Sequence, residues 1–386
     1  MTLGQTAVKT PVTPTDNPVK VMVVDDSMVI RGLLTRTLET DGGIKVVASA
    51  GNGKAALDAL AKTDVDVVVL DIEMPVMDGM TALPQLIAIK PYVQVIMAST
   101  LTLKGASISM KALSMGAADY VPKPTSTSQI NGAEDFKTEL VSKVKSWGAV
   151  ARRRRGPATP ATGATAAAAS SAAAAPRKLY GQVEVKLRPA GTAKPDCLVV
   201  GSSTGGPQAL FKVFQTLGPI QSLPVFVTQH MPATFTTILA EHLTTASGMP
   251  AAEAKDGEPV TSGRIYVAPG DFHMTVVVEN GRKVMRINKN PPENFCRPAV
   301  DPMLRSITKA YGNKVLFAML TGMGHDGLKG AQELIGAGGT VIAQDEATSV
   351  VWGMPGSVAT AGLCSAVLPL SDIGPYIRKF ISRTGQ

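Results

Sequence analysis

Cysteine and histidine are scarce in this chain, with three and four residues respectively among 386. The cysteines, Cys197, Cys296 and Cys364, stand far apart and are odd in number. That spacing excludes a disulfide framework and a cysteine-built metal cluster, and it fits a reducing cytoplasm. Each cysteine is expected to be a small buried hydrophobe rather than a nucleophile. No apolar run reaches the roughly 18 residues that a membrane-spanning helix needs. The opening MTLGQTAVKTPVTPTDNP lacks the apolar centre of a signal peptide, so residues 1–18 read as a disordered extension. Neither GxxxxGK[ST] nor GxGxxG stands in the glycine-rich stretch after Leu198–Val200, which excludes the common phosphate-cradling loops there. The expected location is cytoplasmic, without membrane insertion.

What is present is globular: 45 % hydrophobic and 18 % charged residues, in a chain long enough for two ordinary domains. The formal charge of +8 suggests nucleic acid until it is located. Nine basic residues and one acid fall between Ala151 and Pro195, so the rest of the chain is neutral. A charge run such as Arg152–Arg155 is ordinarily a solvated tether. The neighbouring GPATPATGATAAAASSAAAAPRK has almost nothing large to bury and cannot repay its ordering entropy. The expected organisation is therefore a domain over 19–140, a linker over 141–194 and a second domain over 195–386. A neutral second domain with glycine-rich loops offers no basic reading helix, so no nucleic acid partner is expected.

In the first domain, β-branched runs at Val19–Val24, Lys45–Ala48, Val65–Leu70, Val93–Ala98 and Asp119–Val121 alternate with helical patterns, the last near Phe136–Trp147. Five such alternations predict a doubly wound parallel sheet. The second domain repeats the alternation with strands at Leu198–Val200, Val225–Thr228, Arg264–Val267, Lys314–Leu320, Thr340–Ala343 and Ala366–Pro369. One hairpin, MTVVVENGRKVMRIN, is predicted around Asn280-Gly281.

Functional residues of open parallel sheets gather at the carboxyl ends of strands. Asp25 and Asp26 end the first strand and Asp71 the third, and three converging carboxylates need a cation. Oxygen ligands without nearby His or Cys favour Mg2+. Any one of these acids alone would be an ordinary helix cap. Together with Ser99 after the fourth strand and Lys123 after the fifth, they outline a phosphoryl site. VVDDS, DIEMPVMDG and YVPKP closely resemble the receiver domain of bacterial response regulators, a flavodoxin-like (βα)5 fold. The resemblance implies that Asp71 is the phosphoacceptor, charged by the histidine kinase of a chemotaxis array. Asp25, Asp26, Asp71 and the backbone of Glu73 would hold Mg2+, Ser99 and Lys123 would contact the phosphoryl group, and Tyr120 would be the aromatic switch.

LVVGSSTGGPQAL in the second domain fits G-x-S-x-G from Gly201 to Gly205, a strand-to-helix turn that exposes Ser203. A serine nucleophile needs a base and a group to orient it. Of the histidines, His242 lies in a helical segment, His325 on a glycine-rich loop and His273 after APGD, where it would line the cleft. His230 follows VFVTQ at a strand end and is best placed, with Asp326 of LTGMGHDG as the orienting acid. GSSTGG, TQHMP, APGD-H, RPAVD, LTGMG-DG and QDEAT-V-WGMP closely resemble, in order, the CheB-type methylesterase domain. That resemblance implies a doubly wound α/β/α hydrolase with Ser203, His230 and Asp326 as its triad. Met323 would supply an oxyanion N–H, and Thr204 and His273 would line the cleft. No cofactor is expected in the esterase. The implied substrates are glutamate γ-methyl esters, and also glutamines, of methyl-accepting chemoreceptors, with phosphorylation of Asp71 raising the rate.

Overall fold

The computed structural model describes residues 17–100, 102–123, 130–156 and 184–382. The main division between two compact units falls at residues 160/161. The extension expected over 1–16 and the alanine-rich interval over 157–183 lie outside the described residues.

Before that division the chain runs β1 (Val19–Val24), α1 (Met28–Leu38), β2 (Ile44–Ala50), α2 (Gly53–Lys62), β3 (Val67–Asp71), α3 (Gly79–Ile89), β4 (Gln94–Ser99), α4 (Leu103–Ser114), β5 (Asp119–Pro122) and α5 (Ile130–Arg155), with residues 102–110 grouped with the second unit. The five parallel strands of the first unit lie in the order β2-β1-β3-β4-β5, so the chain reverses direction across the sheet between β1 and β3. The strands are near-continuous apolar runs because helices cover both faces, as in all-parallel sheets generally.

The last helix corrects the expected boundary at residue 140. Leu140, Val144, Trp147, Val150 and Ala151 on α5 are buried, so the fold continues past residue 140 to the end of α5 at Arg155, into the first part of what was assigned to the linker. The arginine run is likewise not a solvated tether throughout. Arg152 and Arg155 pair with the buried carboxylate of Asp66 at 3.3 and 3.0 Å, and Arg155 also reaches Asp64 at 2.8 Å. The Arg155 guanidinium lies 4.2 Å from the centre of the Tyr92 ring. The Asp66 carboxylate is buried, and a buried charge left without a cationic partner is costly, which holds these arginines in place.

The second unit contains β6 (Cys197–Ser202), α6 (Gly206–Leu217), β7 (Val225–Gln229), α7 (Phe235–Ser247), β8 (Ala251–Glu253), β9 (Ile265–Val267), β10 (His273–Glu279), β11 (Arg282–Asn288), α8 (Val300–Tyr311), β12 (Val315–Met319), α9 (Leu328–Gly336), β13 (Thr340–Gln344), α10 (Gly353–Thr360), β14 (Ala366–Leu368) and α11 (Leu370–Ile381). Seven parallel strands lie in the order β14-β13-β12-β6-β7-β9-β8. The hairpin β10-β11 stands apart, antiparallel from His273↔Asn288 to Glu279↔Arg282. Asn280 and Gly281 both take positive φ, +50° and +75°, the geometry expected of an Asn-Gly turn. The reversal point of the large sheet falls between β6 and β12, which is where a doubly wound sheet opens a crevice at its carboxyl edge. No helix among the described residues is long and apolar enough to cross a membrane.

Candidate active site

In the first unit, the reversal point brings the end of β1 beside the end of β3. Asp25 is fully buried, Asp71 nearly so, and Asp26 is exposed. One oxygen from each lies within 4.8 Å of the other two. Lys123, after β5, reaches across with its ammonium 2.6 Å from Asp71 and 2.7 Å from Asp25. Burial opposes the charge on Lys123, but hydrogen bonds to these two carboxylates outweigh it and raise its pKa. Burial pushes Asp71 above the ordinary aspartate value against the pull of Lys123. A buried carboxylate cluster only partly neutralised by one lysine is a fitting donor set for a hard divalent cation. Ser99 closes β4 and is buried, and its carbonyl accepts the Lys123 N–H at 2.7 Å. Glu73 lies two residues past Asp71, its side chain exposed. Tyr120 is buried under Lys143, whose ammonium lies 4.6 Å from the ring centre and donates to the Tyr120 carbonyl at 2.7 Å.

In the second unit, Ser203 follows β6 in a turn that enters α6 directly. Gly205 takes φ +75°, a conformation that a side chain would strain. The Ser203 N–H donates to the Thr321 carbonyl at 3.0 Å, which seats the turn on the loop after β12. A Cβ on Gly322 of that loop would stand 2.9 Å from the Ser203 Cβ, so the loop touches the serine only because residue 322 has none. Met323 follows and is exposed. Thr204 is buried, and its carbonyl accepts from the Thr321 hydroxyl at 3.0 Å.

Gln229, the last residue of β7, ties the Ser203 turn to His230. Its Oε1 accepts from the Ser202 hydroxyl at 2.7 Å, and its Nε2 donates to the carbonyls of Ser203 at 2.9 Å and His230 at 3.1 Å. His230 Nε2 lies 2.7 Å from Asp326 Oδ2. Asp326 also accepts the N–H groups of Val300 at 2.6 Å and Asp301 at 3.1 Å, the first turn of α8. Burial opposes its charge, but the His230 hydrogen bond and these donors outweigh it and hold the carboxyl below the ordinary value. Burial likewise opposes the charge on His230, and the Asp326 carboxylate overcomes it, with Cys296 adding, so the imidazole pKa lies well above 6.5.

Because Asp326 accepts from Nε2, the basic nitrogen of neutral His230 is Nδ1. Among the described residues no hydrogen bond joins Nδ1 to the Ser203 hydroxyl; Cys296 Sγ lies 3.3 Å from it. Catalytic hydrogen bonds often tighten only in the substrate complex.

His273 departs from its expected place at the cleft. It is 1 % exposed, with Nδ1 accepting from the Ala299 N–H at 3.3 Å and Nε2 directed at the Pro291 carbonyl at 3.1 Å. Both ring nitrogens hold backbone, so it props the segment that carries Cys296. His242 stacks on Phe211 at 5.7 Å, and His325 is exposed.

Sequence reasoning missed Gln229, Asn294, Cys296 and Asp301. Asn294 donates to both Asp326 Oδ1 (2.9 Å) and Asp301 Oδ2 (3.1 Å). Asp301 is buried and accepts the Gly330 N–H at 2.7 Å. A Gln at a strand end beside the candidate base was a readable signal. The others sit in turns or a helix start without periodicity.

The CheB methylesterase family model matches residues 198–377, and the response regulator receiver domain model matches residues 21–133. A protein-glutamate methylesterase/protein-glutamine glutaminase of Azospirillum brasilense is 62 % identical over 374 residues, covering 95 % of this chain and 94 % of its own length. One of Paramagnetospirillum magneticum is 57 % identical over 374 residues, covering 96 % of this chain and 98 % of its own.

Proposed function

The chain belongs to the CheB methylesterase family, with a response regulator receiver domain ahead of the hydrolase, and from that premise we propose how its residues divide the work. The family hydrolyses protein glutamate methyl esters and protein glutamines, and this chain is a hydrolase of that kind. The observation that carries the residue assignment is the 2.7 Å pair of His230 and Asp326 at the crevice where the Ser203 turn meets the β12 loop.

Ser203 Oγ attacks the ester carbonyl carbon of a receptor glutamate side chain while His230 Nδ1 takes its proton. The oxyanion is stabilised by the N–H of Met323. The C–O bond to the methoxy group breaks, and His230 returns the proton so that methanol leaves. A water then attacks the acyl-serine with His230 as base, which restores the Ser203 hydroxyl and frees glutamate. With glutamine the leaving group is ammonia. Asp326 holds the imidazole by Nε2 and stabilises its charged form.

In the receiver, a phosphoryl group passes from a histidine kinase to the Asp71 carboxylate, breaking an N–P bond and forming an acyl phosphate. Mg2+ held by Asp25, Asp26, Asp71 and the Glu73 carbonyl would offset the charge of that group. Lys123 pairs with a phosphoryl oxygen, Ser99 donates to another, and Tyr120 reports the change to the surface of β5. Phosphorylation raises esterase activity as a shift between less and more active populations.

Methanol release from methylated receptor should rise when the full chain receives a small phosphodonor with Mg2+. Asp71→Asn should remove the rise and keep the low rate. Equal rates with and without verified phosphorylation would overturn the coupling.

A further inference from the structure

We infer that Phe295 is an apolar anchor for the receptor helix at the rim of the esterase cleft, an inference that rests on the receptor-hydrolase reading above. The side chain is 104 % exposed, and it is the only exposed aromatic among the large exposed hydrophobic side chains of the described residues. A single exposed apolar residue is ordinary on a protein surface. What surrounds this one is not.

Phe295 sits at the tip of a two-residue turn closed by reciprocal backbone bonds, Glu293 N–H to Cys296 O at 3.1 Å and Cys296 N–H to Glu293 O at 2.9 Å. Asn294 and Phe295 take φ +52° and +63°. This is the same turn geometry that Asn280 and Gly281 adopt between β10 and β11. There the second position is glycine, as positive φ demands; here a bulky aromatic occupies it at a cost in backbone strain.

The other three residues of the turn are fastened. Glu293 pairs with Arg305 at 2.5 Å, Asn294 donates to Asp326 and Asp301, and Cys296 meets His230 Nδ1 at 3.3 Å. A turn fastened to the proposed catalytic acid and base thus presents one exposed ring to solvent. Met323, beside the glycine that touches Ser203, adds a second exposed apolar side chain on the loop after β12.

The proposed substrate is a whole protein, and where its methylated segment is helical the body of the helix stays outside the site. Only the ester side chain enters, and neighbours three and four residues along the helix must rest on the rim. Only the two side-chain torsions of the ring remain to be ordered on this fastened backbone, and aromatic side chains are enriched at the centres of interfaces. A small ester has no helix to rest on the ring. Phe295 is therefore a specificity residue for the macromolecular substrate.

The test compares full chains activated with phosphodonor and Mg2+, on a methylated receptor cytoplasmic domain and on p-nitrophenyl acetate. F295G recreates the Asn-Gly turn and should keep or raise the melting temperature. Its KM for receptor should rise about tenfold, with a much smaller loss on the small ester. F295Y, which keeps a ring, should stay within about threefold of wild type on receptor. Receptor kinetics of F295G matching wild type, equal losses on both substrates, or F295Y as defective as F295G would each overturn the inference. A wild-type chain that releases no methanol from receptor would overturn the underlying reading and this inference with it.

Discussion

The Cys296 sulfur lies 3.3 Å from Nδ1 of His230, the ring nitrogen that Asp326 leaves open. In the proposed mechanism the thiol therefore stands where the proton of Ser203 would arrive, and the two compete for one nitrogen. Cys296→Ala should retain hydrolysis within about threefold of wild type, because the base and its orienting acid remain. A maleimide or iodoacetamide adduct on Cys296 should block the base and abolish turnover, and the alanine variant should resist both reagents. Cys197 and Cys364 are buried with raised thiol pKa values, so they are poor competitors for the reagent. Full activity after verified alkylation of Cys296 would contradict this placement.

The raised pKa of His230 sets the direction of the pH profile. In the proposed role of base His230 must be neutral, and the Asp326 carboxylate favours its charged form against burial. The rising limb of kcat/KM for a small ester should thus lie on the alkaline side of 6.5. Asp326→Asn should move that limb toward or below 6.5 while lowering the rate by about a hundredfold or more. The same pairing contributes folding stability that is full below about 6.5 and fades as pH rises through the raised value. A limb that stays in place in the asparagine variant would show that Asp326 does not set it.

The end of α5 is a stability element of the receiver. A fragment ending at residue 140 loses Val144, Trp147, Val150 and Ala151 from the core, and with them the arginine partners of buried Asp66. It should unfold far below a fragment ending at 156. In the longer fragment, replacing Arg152 and Arg155 together by alanine strands a buried carboxylate and should cost about 1–3 kcal/mol, read as a fall of several degrees in Tm. Equal melting of the two fragments would place the boundary back near 140.

Gln229 joins the Ser203 turn to His230, and in the proposed mechanism it is a positioning residue. Gln229→Ala removes three hydrogen bonds, one of them buried and two part-buried, and should lower kcat on a small ester more than it raises KM, with a Tm loss worth about 1–3 kcal/mol. Gln229→Glu keeps the acceptor for Ser202 but faces two carbonyls with an oxygen, so it should not rescue.

Much of this site was legible because chemistry in doubly wound sheets collects just past apolar strands. Asp25, Asp71, Ser203 and His230 each follow a run of Val, Ile, Leu, Met or Phe that could only be a buried strand, and Asp326 follows β12 through a short glycine-rich loop. The Asn280-Gly281 hairpin was legible from its turn residues alone. β8 was not, because Ala-Ala-Glu carries no strand signal. α10 begins Gly-Met-Pro-Gly, which reads as a turn. The fastening of Asn294 and Cys296 to Asp326 and His230 spans 32 and 66 residues of sequence, and no local pattern announces it. The arginine run misled for the same reason: its partners Asp64, Asp66 and Tyr92 lie far back in the chain.

The most direct test of the account is methanol release from methylated receptor by Ser203→Ala beside wild type, both phosphorylated at Asp71. With Ser203 as the nucleophile, kcat should fall by at least about a thousandfold, with residual rate owed to the remaining site, and Tm should stay within about two degrees, since the substitution deletes one hydroxyl from a half-buried side chain. Turnover by the folded alanine variant comparable to wild type would contradict that role.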